Sequence, residues 1–98
     1  MDVEFADYDL DRLETDLQFN GGFSREIVRA FRRRMQLIRD ATDERAFYAL
    51  KSLHFEKLKG DREHQRSMRL NNQWRLIVEI KPARPQNVIV VVSIEDYH

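Results

Sequence analysis

The period of the apolar residues changes once along this chain, and that change restricts the fold more than any other feature. Leu10, Leu13 and Leu17, then Ile27, Phe31, Met35 and Ile38, recur three or four positions apart, which puts each set on one stripe of a helix. From Leu53 onward the pattern is that of strands. They run from Leu53 to Leu58, Gln65 to Leu70, Gln73 to Lys81 and Val88 to Ile94, and Gly60-Asp61, Asn71-Asn72 and Pro82 to Pro85 separate them. Helices first and strands second predict an α+β fold, with two N-terminal helices packed on one face of a curved antiparallel sheet. Val3 to Phe5 reads as a short opening strand. Asp7 or Asp9 serves as N-cap of the first helix and Ser24 of the second, after a break at Asn20, Gly21 and Gly22. Thr42 and Asp43 cap a short helical stretch toward Leu50. The unbroken run from Val88 to Val92 fits a central strand covered by both helices, or by a helix and a partner chain. A chain of 98 residues buries one modest core, so residues 1–98 are expected to form a single domain.

Zero cysteine excludes disulfides, thiolate metal sites and cysteine nucleophiles. The three histidines are spread, and no His/carboxylate spacing resembles a metal site, so neither metal nor other cofactor is expected. No apolar run reaches membrane-spanning length and the first residues are not those of a signal peptide, which predicts a cytoplasmic protein without a membrane partner. The 17 basic and 17 acidic residues cancel, but they are segregated. Residues 1–19 carry seven acids against one base, and residues 51–75 carry seven bases against three acids. The long second helix adds Arg25, Arg29, Arg32 and Arg33 opposite its apolar stripe, either a solvated face or a seat for an acidic protein.

Strand parity decides where the bases around Asn71-Asn72 point. After the turn the apolar face is Trp74, Leu76, Val78 and Ile80; before it, Met68 and Leu70. A two-residue loop sets Leu70 opposite Gln73 and mixes Met68 with Arg75. A three-residue loop through Asn71, Asn72 and Gln73, with an Asn in the left-handed conformation, sets Leu70 opposite Trp74 and keeps one apolar face. Arg69 then lies directly across from Arg75. Facing like charges cost a few tenths of a kcal/mol up to about 1, a conflict that a bound anion removes. With Lys57, Lys59 and Arg62 nearby, the patch suits a phosphate polyanion. Trp74 falls on the core face, so it is not a base-stacking platform.

Leu58-Lys59-Gly60-Asp61-Arg62, Ser67 through Arg75 (Ser-Met-Arg-Leu-Asn-Asn-Gln-Trp-Arg) and the terminal Glu95-Asp96-Tyr97-His98 together resemble the RelE/ParE toxins, in their HigB-like plasmid-maintenance killer branch. The motifs occupy the last 45 or so residues; the helical half agrees in pattern and length. The resemblance implies a RelE-like microbial RNase fold and a type II toxin that cuts mRNA on the ribosome. It also implies a cognate antitoxin, a HigA-like helix-turn-helix protein, with operator DNA reached only through that antitoxin. Carried over by position, the catalytic set is Glu56, Arg69, Arg75 and His98, with Asp96 and Tyr97 matching the terminal motif; RNA or ribosome contacts are expected from these two, from His54 and from the basic patch of Lys57, Lys59 and Arg62. Some members carry the first arginine at the place of Asn71.

Metal-independent RNA cleavage needs a base for the 2′-OH proton, cations for the pentacoordinate phosphate and an acid for the 5′ oxygen. Glutamate, with an ordinary pKa of about 4.3, is available as base at neutral pH, whereas histidine, at about 6.5, must be raised to act as acid. Glu56 is thus a base and His98 an acid, with Arg69 and Arg75 holding the phosphate and Tyr97 stacking on a base. His54, two residues before Glu56 and of the same strand parity, competes for the base role. His64, beside a polar turn, reads as structural. Two other functions are compatible with the same residues: a ParE-like inhibitor of DNA gyrase, and a binding module that cuts nothing.

Overall fold

The computed structural model describes residues 1–97. Its elements are β1 (Val3–Phe5), α1 (Tyr8–Thr15), α2 (Arg25–Asp40), α3 (Arg45–Ala49), β2 (Glu56–Lys57), β3 (Gln65–Arg69), β4 (Trp74–Lys81) and β5 (Val88–Asp96), with single 3-10 turns at Lys51–Leu53 and Gly60–Arg62. The architecture is α+β; the short helical stretch expected toward Leu50 forms as α3, and the departure is that the five-stranded sheet is mixed and not wholly antiparallel. Strands β2 to β5 form the expected antiparallel meander, and β1 adds to β5 in parallel to give the order β1-β5-β4-β3-β2. No hairpin joins β1 to its neighbour. The chain leaves β1, crosses the helices and re-enters the sheet at its far edge, so no turn forces β1 to run antiparallel.

The helix boundaries follow from capping. Asp7 is the N-cap of α1, its carboxylate accepting from the Asp9 amide at 2.9 Å, and Ser24 caps α2 by accepting from the Ile27 amide at 3.3 Å. At the far end of α2, the Met1 ammonium donates to the carbonyls of Ile38, Arg39 and Ala41 at 3.2, 2.9 and 2.7 Å, a cation placed where the helix dipole and the unpaired carbonyls favour one. Helix α1 stops before Leu17, which is therefore 75% exposed and not part of the predicted stripe. Gly21 and Gly22, at φ +61° and +84°, make the left-handed corner that turns the chain into α2.

Leu10 and Leu13 of α1 and Ile27, Phe31, Met35 and Ile38 of α2 are buried against Met68, Leu76, Val78, Ile89 and Val91 of the sheet, and Phe47, Leu53 and Phe55 close one end. Trp74 is half-buried on this face, edge-on to Phe23 with ring centroids 6.1 Å apart, as parity predicts. Val90 and Val92 of the apolar run stay half-exposed, because helices cover only one side of β5. The strand expected over Leu53 to Leu58 shrinks to Glu56–Lys57. Leu53 is buried at the end of a 3-10 turn, and His54 takes φ 47°, a left-handed conformation that stops extension. No helix among the described residues is long and apolar enough to cross a membrane.

Candidate functional site

Residues directly across an antiparallel ladder share a face, so the register alone defines the surface turned away from the helices. Leu70 donates to the Trp74 carbonyl at 2.9 Å and Arg69 pairs with Arg75, the arrangement required by the three-residue loop. Arg75 in turn pairs with Glu95 of β5. His54, just before β2, continues the line: its Nε2 lies 3.4 Å from Arg69 Nη1. One row of the outer face therefore reads His54, Arg69, Arg75, Glu95. The next row is Glu56, Ser67, Ile77 and Ser93.

A β-bulge fixes the right-hand end of this row. Ile77 pairs with Ser93 and Val78 with Val91, so Val92 has no partner and alternation along β5 slips by one residue. Ile94 thereby packs against the core while Ser93 and Glu95 turn outward. Glu95 is held there by Arg62, whose Nη1 and Nη2 donate to its two oxygens at 3.0 and 2.8 Å, and by the Ser93 hydroxyl at 2.6 Å. The Arg62 hydrogen bonds pull the Glu95 pKa below its ordinary value, against the opposing effect of partial burial, and raise that of Arg62. The carboxylate nearest the arginine pair along the ladder is thus already engaged. None of the ion pairs among the described residues involves Arg69 or Arg75.

The turn places both guanidinium groups. Asn71 accepts from the backbone amides of Gln73 and Trp74 through its side-chain oxygen at 2.9 and 2.8 Å, an Asx turn. Neither Asn takes the expected left-handed conformation, since this side-chain bond closes the loop without it; among the described residues His54 is the non-glycine residue with positive φ. Arg69 donates to the Asn72 side-chain oxygen through Nη2, and Arg75 to the Asn71 carbonyl through Nη1 at 3.0 Å. The Arg75 guanidinium sits 4.5 Å from the centre of the Tyr97 ring, and the Tyr97 amide donates to the Gln73 carbonyl at 2.7 Å.

The remaining sequence-derived residues divide. Glu56 faces the same side as the arginines, one row away and exposed. Lys57 pairs with Arg66, which pairs with Val78, so Lys57 turns to the helix side of the sheet and leaves the patch it was expected to join. Alternation within a strand forces this once Glu56 faces outward. Lys59 is exposed just before the Gly60–Arg62 turn. Asp96 pairs with Trp74 across the ladder and accepts from the Gln73 side chain at 2.9 Å. His98 lies outside the described residues. His64 sits 3.7 Å from Glu79 at the periphery.

Three contributors were not anticipated. Asn72 and Glu95 emerge only from the turn geometry and the bulge. Arg34 of α2 reaches to the back of the hairpin and donates to the Arg69 carbonyl at 2.6 Å, and burial lowers its pKa, as does neighbouring Arg33. Its signal was available: Arg34 stands three residues after Phe31 and four before Ile38, a base inside the apolar stripe. A second tie from α2, Asn71 to Glu26 at 3.2 Å, holds the same hairpin.

Chemically, two facing guanidinium groups outside every ion pair of the described residues, an imidazole beside one and a phenol ring under the other form a surface for an anionic, base-bearing ligand. A family model described as RelE-like toxin of type II toxin-antitoxin system HigB matches residues 3–98. In fold, the chain is similar to the YoeB/ParE toxin from Agrobacterium tumefaciens, with a TM-score of 0.65 and 16% identity over 100% of both chains. No curated protein sequence matches.

Proposed function

Because this chain belongs to the family of RelE-like, HigB-type toxins of type II toxin-antitoxin systems, we propose that it arrests translation by cutting mRNA on the ribosome, without a metal ion. The observation that carries this reading is the outer-face row in which His54, Arg69 and Arg75 stand together, the arginines in none of the ion pairs among the described residues. A purely structural sheet gains nothing from facing arginines, whereas a scissile phosphate bridging them gains two forked, charge-assisted contacts.

In the proposed reaction a base removes the 2′-OH proton, the 2′ oxygen attacks phosphorus, and the bond to the 5′ oxygen breaks as that oxygen takes a proton. The products are a 2′,3′-cyclic phosphate and a 5′-OH. Arg69 and Arg75 bind the phosphate and stabilise the charge that builds on it. His54 is the better-placed base. With the proton on Nδ1, its Nε2 lone pair faces Arg69 in the free protein, and it becomes available when Arg69 turns to the phosphate. Glu56, one row away, is the alternative base. The acid is assigned to His98 on the resemblance of the Asp-Tyr-His end. Tyr97, already stacked with Arg75, offers its other side to an unstacked base. Arg62 is engaged by Glu95 and, with Lys59, flanks the site. The partners that complete this reading are a HigA-like antitoxin, the ribosome and mRNA.

The test is growth arrest on induction, together with nucleotide-resolution mapping of ribosome-bound mRNA ends, for Arg75→Ala, His98→Ala, His54→Ala and Glu56→Ala. Arg75→Ala and His98→Ala should abolish new ends, and His54→Ala should reduce them at least about 100-fold, the usual scale for losing a general base. Undiminished cleavage in Arg75→Ala and His98→Ala rejects the nuclease. Loss in Glu56→Ala with retention in His54→Ala moves the base to Glu56. Arrest with intact mRNA and a DNA-damage response points instead to gyrase.

A further inference from the structure

The side of α2 turned away from the sheet carries a second cationic feature that the outer-face site does not use. Arg25, Arg29 and Arg33 are exposed at four-residue spacing, a ridge about 12 Å long at 1.5 Å per residue. Arg32, between them, is committed to the fold: it donates to the carbonyls of Leu13, Asp16 and Phe19 at 3.0, 3.1 and 3.3 Å and closes the end of α1. Arg25, Arg29 and Arg33 take part in none of the ion pairs among the described residues.

A notch opens at each end of this ridge. The first, about 390 Å³, is mainly polar: Arg25, Arg29, Gln18 and Asn20 line it around Leu17 and Val28. The second, about 470 Å³, lies beside Arg33 and is lined by Leu37, Ala41, Ala46 and Leu50. Each notch exposes one large apolar side chain, Leu17 at 75% and Leu50 at 43%. The cations of the ridge thus surround Leu17 and Val28 at one end and lead to an apolar notch at the other, and Val28 and Leu37 set the two about 14 Å apart at helical rise.

We propose that this surface seats an acidic, amphipathic segment of the antitoxin, with two aliphatic side chains filling the notches and carboxylates between them on Arg25, Arg29 and Arg33. The proposal rests on the toxin-antitoxin pairing of the family and not on the nuclease chemistry. Charge complementarity selects an acidic occupant, and the apolar notch beside Arg33, with Leu17 and Leu50 exposed at the two ends, selects a peptide over RNA. The ridge is on the helix layer and the His54–Arg69–Arg75 row on the opposite face of the sheet, so the segment docks without touching that row.

The experiment pairs this chain with the purified protein encoded by the adjoining open reading frame and measures the dissociation constant by calorimetry. The triple variant Arg25→Glu/Arg29→Glu/Arg33→Glu should bind at least about 30-fold more weakly, as expected for removing three rim charge pairs and adding repulsion. Leu17→Ser/Leu50→Ser should lose about tenfold or more. Circular dichroism checks that both variants fold, and Arg84→Glu serves as a distant control. Growth arrest by the triple variant should persist and escape neutralisation on co-expression of the antitoxin. Unchanged affinity in a folded triple variant overturns the proposal. So does unchanged affinity accompanied by lost ribosome binding, which assigns the ridge to RNA, or by a change of self-association, which assigns it to a second copy. Binding data stand whether or not the protein proves to cut mRNA.

Discussion

In the free protein Arg69 and Arg75 face each other across the β3–β4 ladder, and neither takes part in an ion pair among the described residues. Replacing Arg69 by Thr is therefore expected to stabilise the fold. Removing a like-charge cross-strand pair returns roughly 0.2–1 kcal/mol, and a β-branched residue suits the strand by a few tenths more. Against this stands the loss of the contacts to Asn72 and His54, which are exposed residues and contribute about 0.5 kcal/mol. The net gain is about 0.5 kcal/mol, a rise of roughly 2–4 °C in Tm for a protein of this size. Inorganic phosphate should reverse the ranking. If it bridges the two arginines with a Kd of about 10 mM, 100 mM phosphate stabilises the wild type by RT ln 11, about 1.4 kcal/mol, and the variant hardly at all. Thermal melts followed by circular dichroism, in phosphate and in sodium chloride of equal ionic strength, measure both quantities. A variant that melts several degrees below the wild type in chloride, or phosphate shifts equal in the two proteins, would refute the idea that this pair is built around an anion.

Inserting an alanine between Ser93 and Ile94 shifts the alternation beyond the bulge by one residue, which turns Ile94 outward and Glu95 toward Trp74 and the core. The expected result is destabilisation by at least about 3 kcal/mol with loss of growth arrest, whereas Val92→Thr should cost under about 1 kcal/mol; equal effects in urea denaturation would reject the bulge's role. Arg62 holds the folded Glu95 carboxyl below its ordinary pKa of 4.5, so that the pair's stabilisation is complete above that pH and disappears as the pH falls through the depressed folded value. Glu95→Gln should accordingly be less stable than the wild type at pH 7 and converge with it on acidification, as urea midpoints from pH 7 to pH 3 will show.

Local chemistry left much of this protein legible in its sequence. Ser24 and the stripe Ile27, Phe31, Met35 and Ile38 specify α2 because capping and a helical apolar period act within one element. The facing of Arg69 and Arg75 was equally readable, since the period-2 pattern on both sides of Asn71–Gln73 admits one register with a single apolar face. The tertiary structure decided what depends on residues far apart in the chain. It brought His54 beside Arg69 through a left-handed residue after a 3-10 turn, turned Lys57 away from the arginines, and laid β1 parallel to β5 where no hairpin dictated direction. The bulge at Val92 set Glu95 rather than Ile94 across from Arg75, and Arg34 tied α2 to the back of the strand that carries Arg69. The reason is common to all of these: periodicity fixes which face of its own element a residue occupies, but which elements meet, and in what phase, is settled only when the shared core closes.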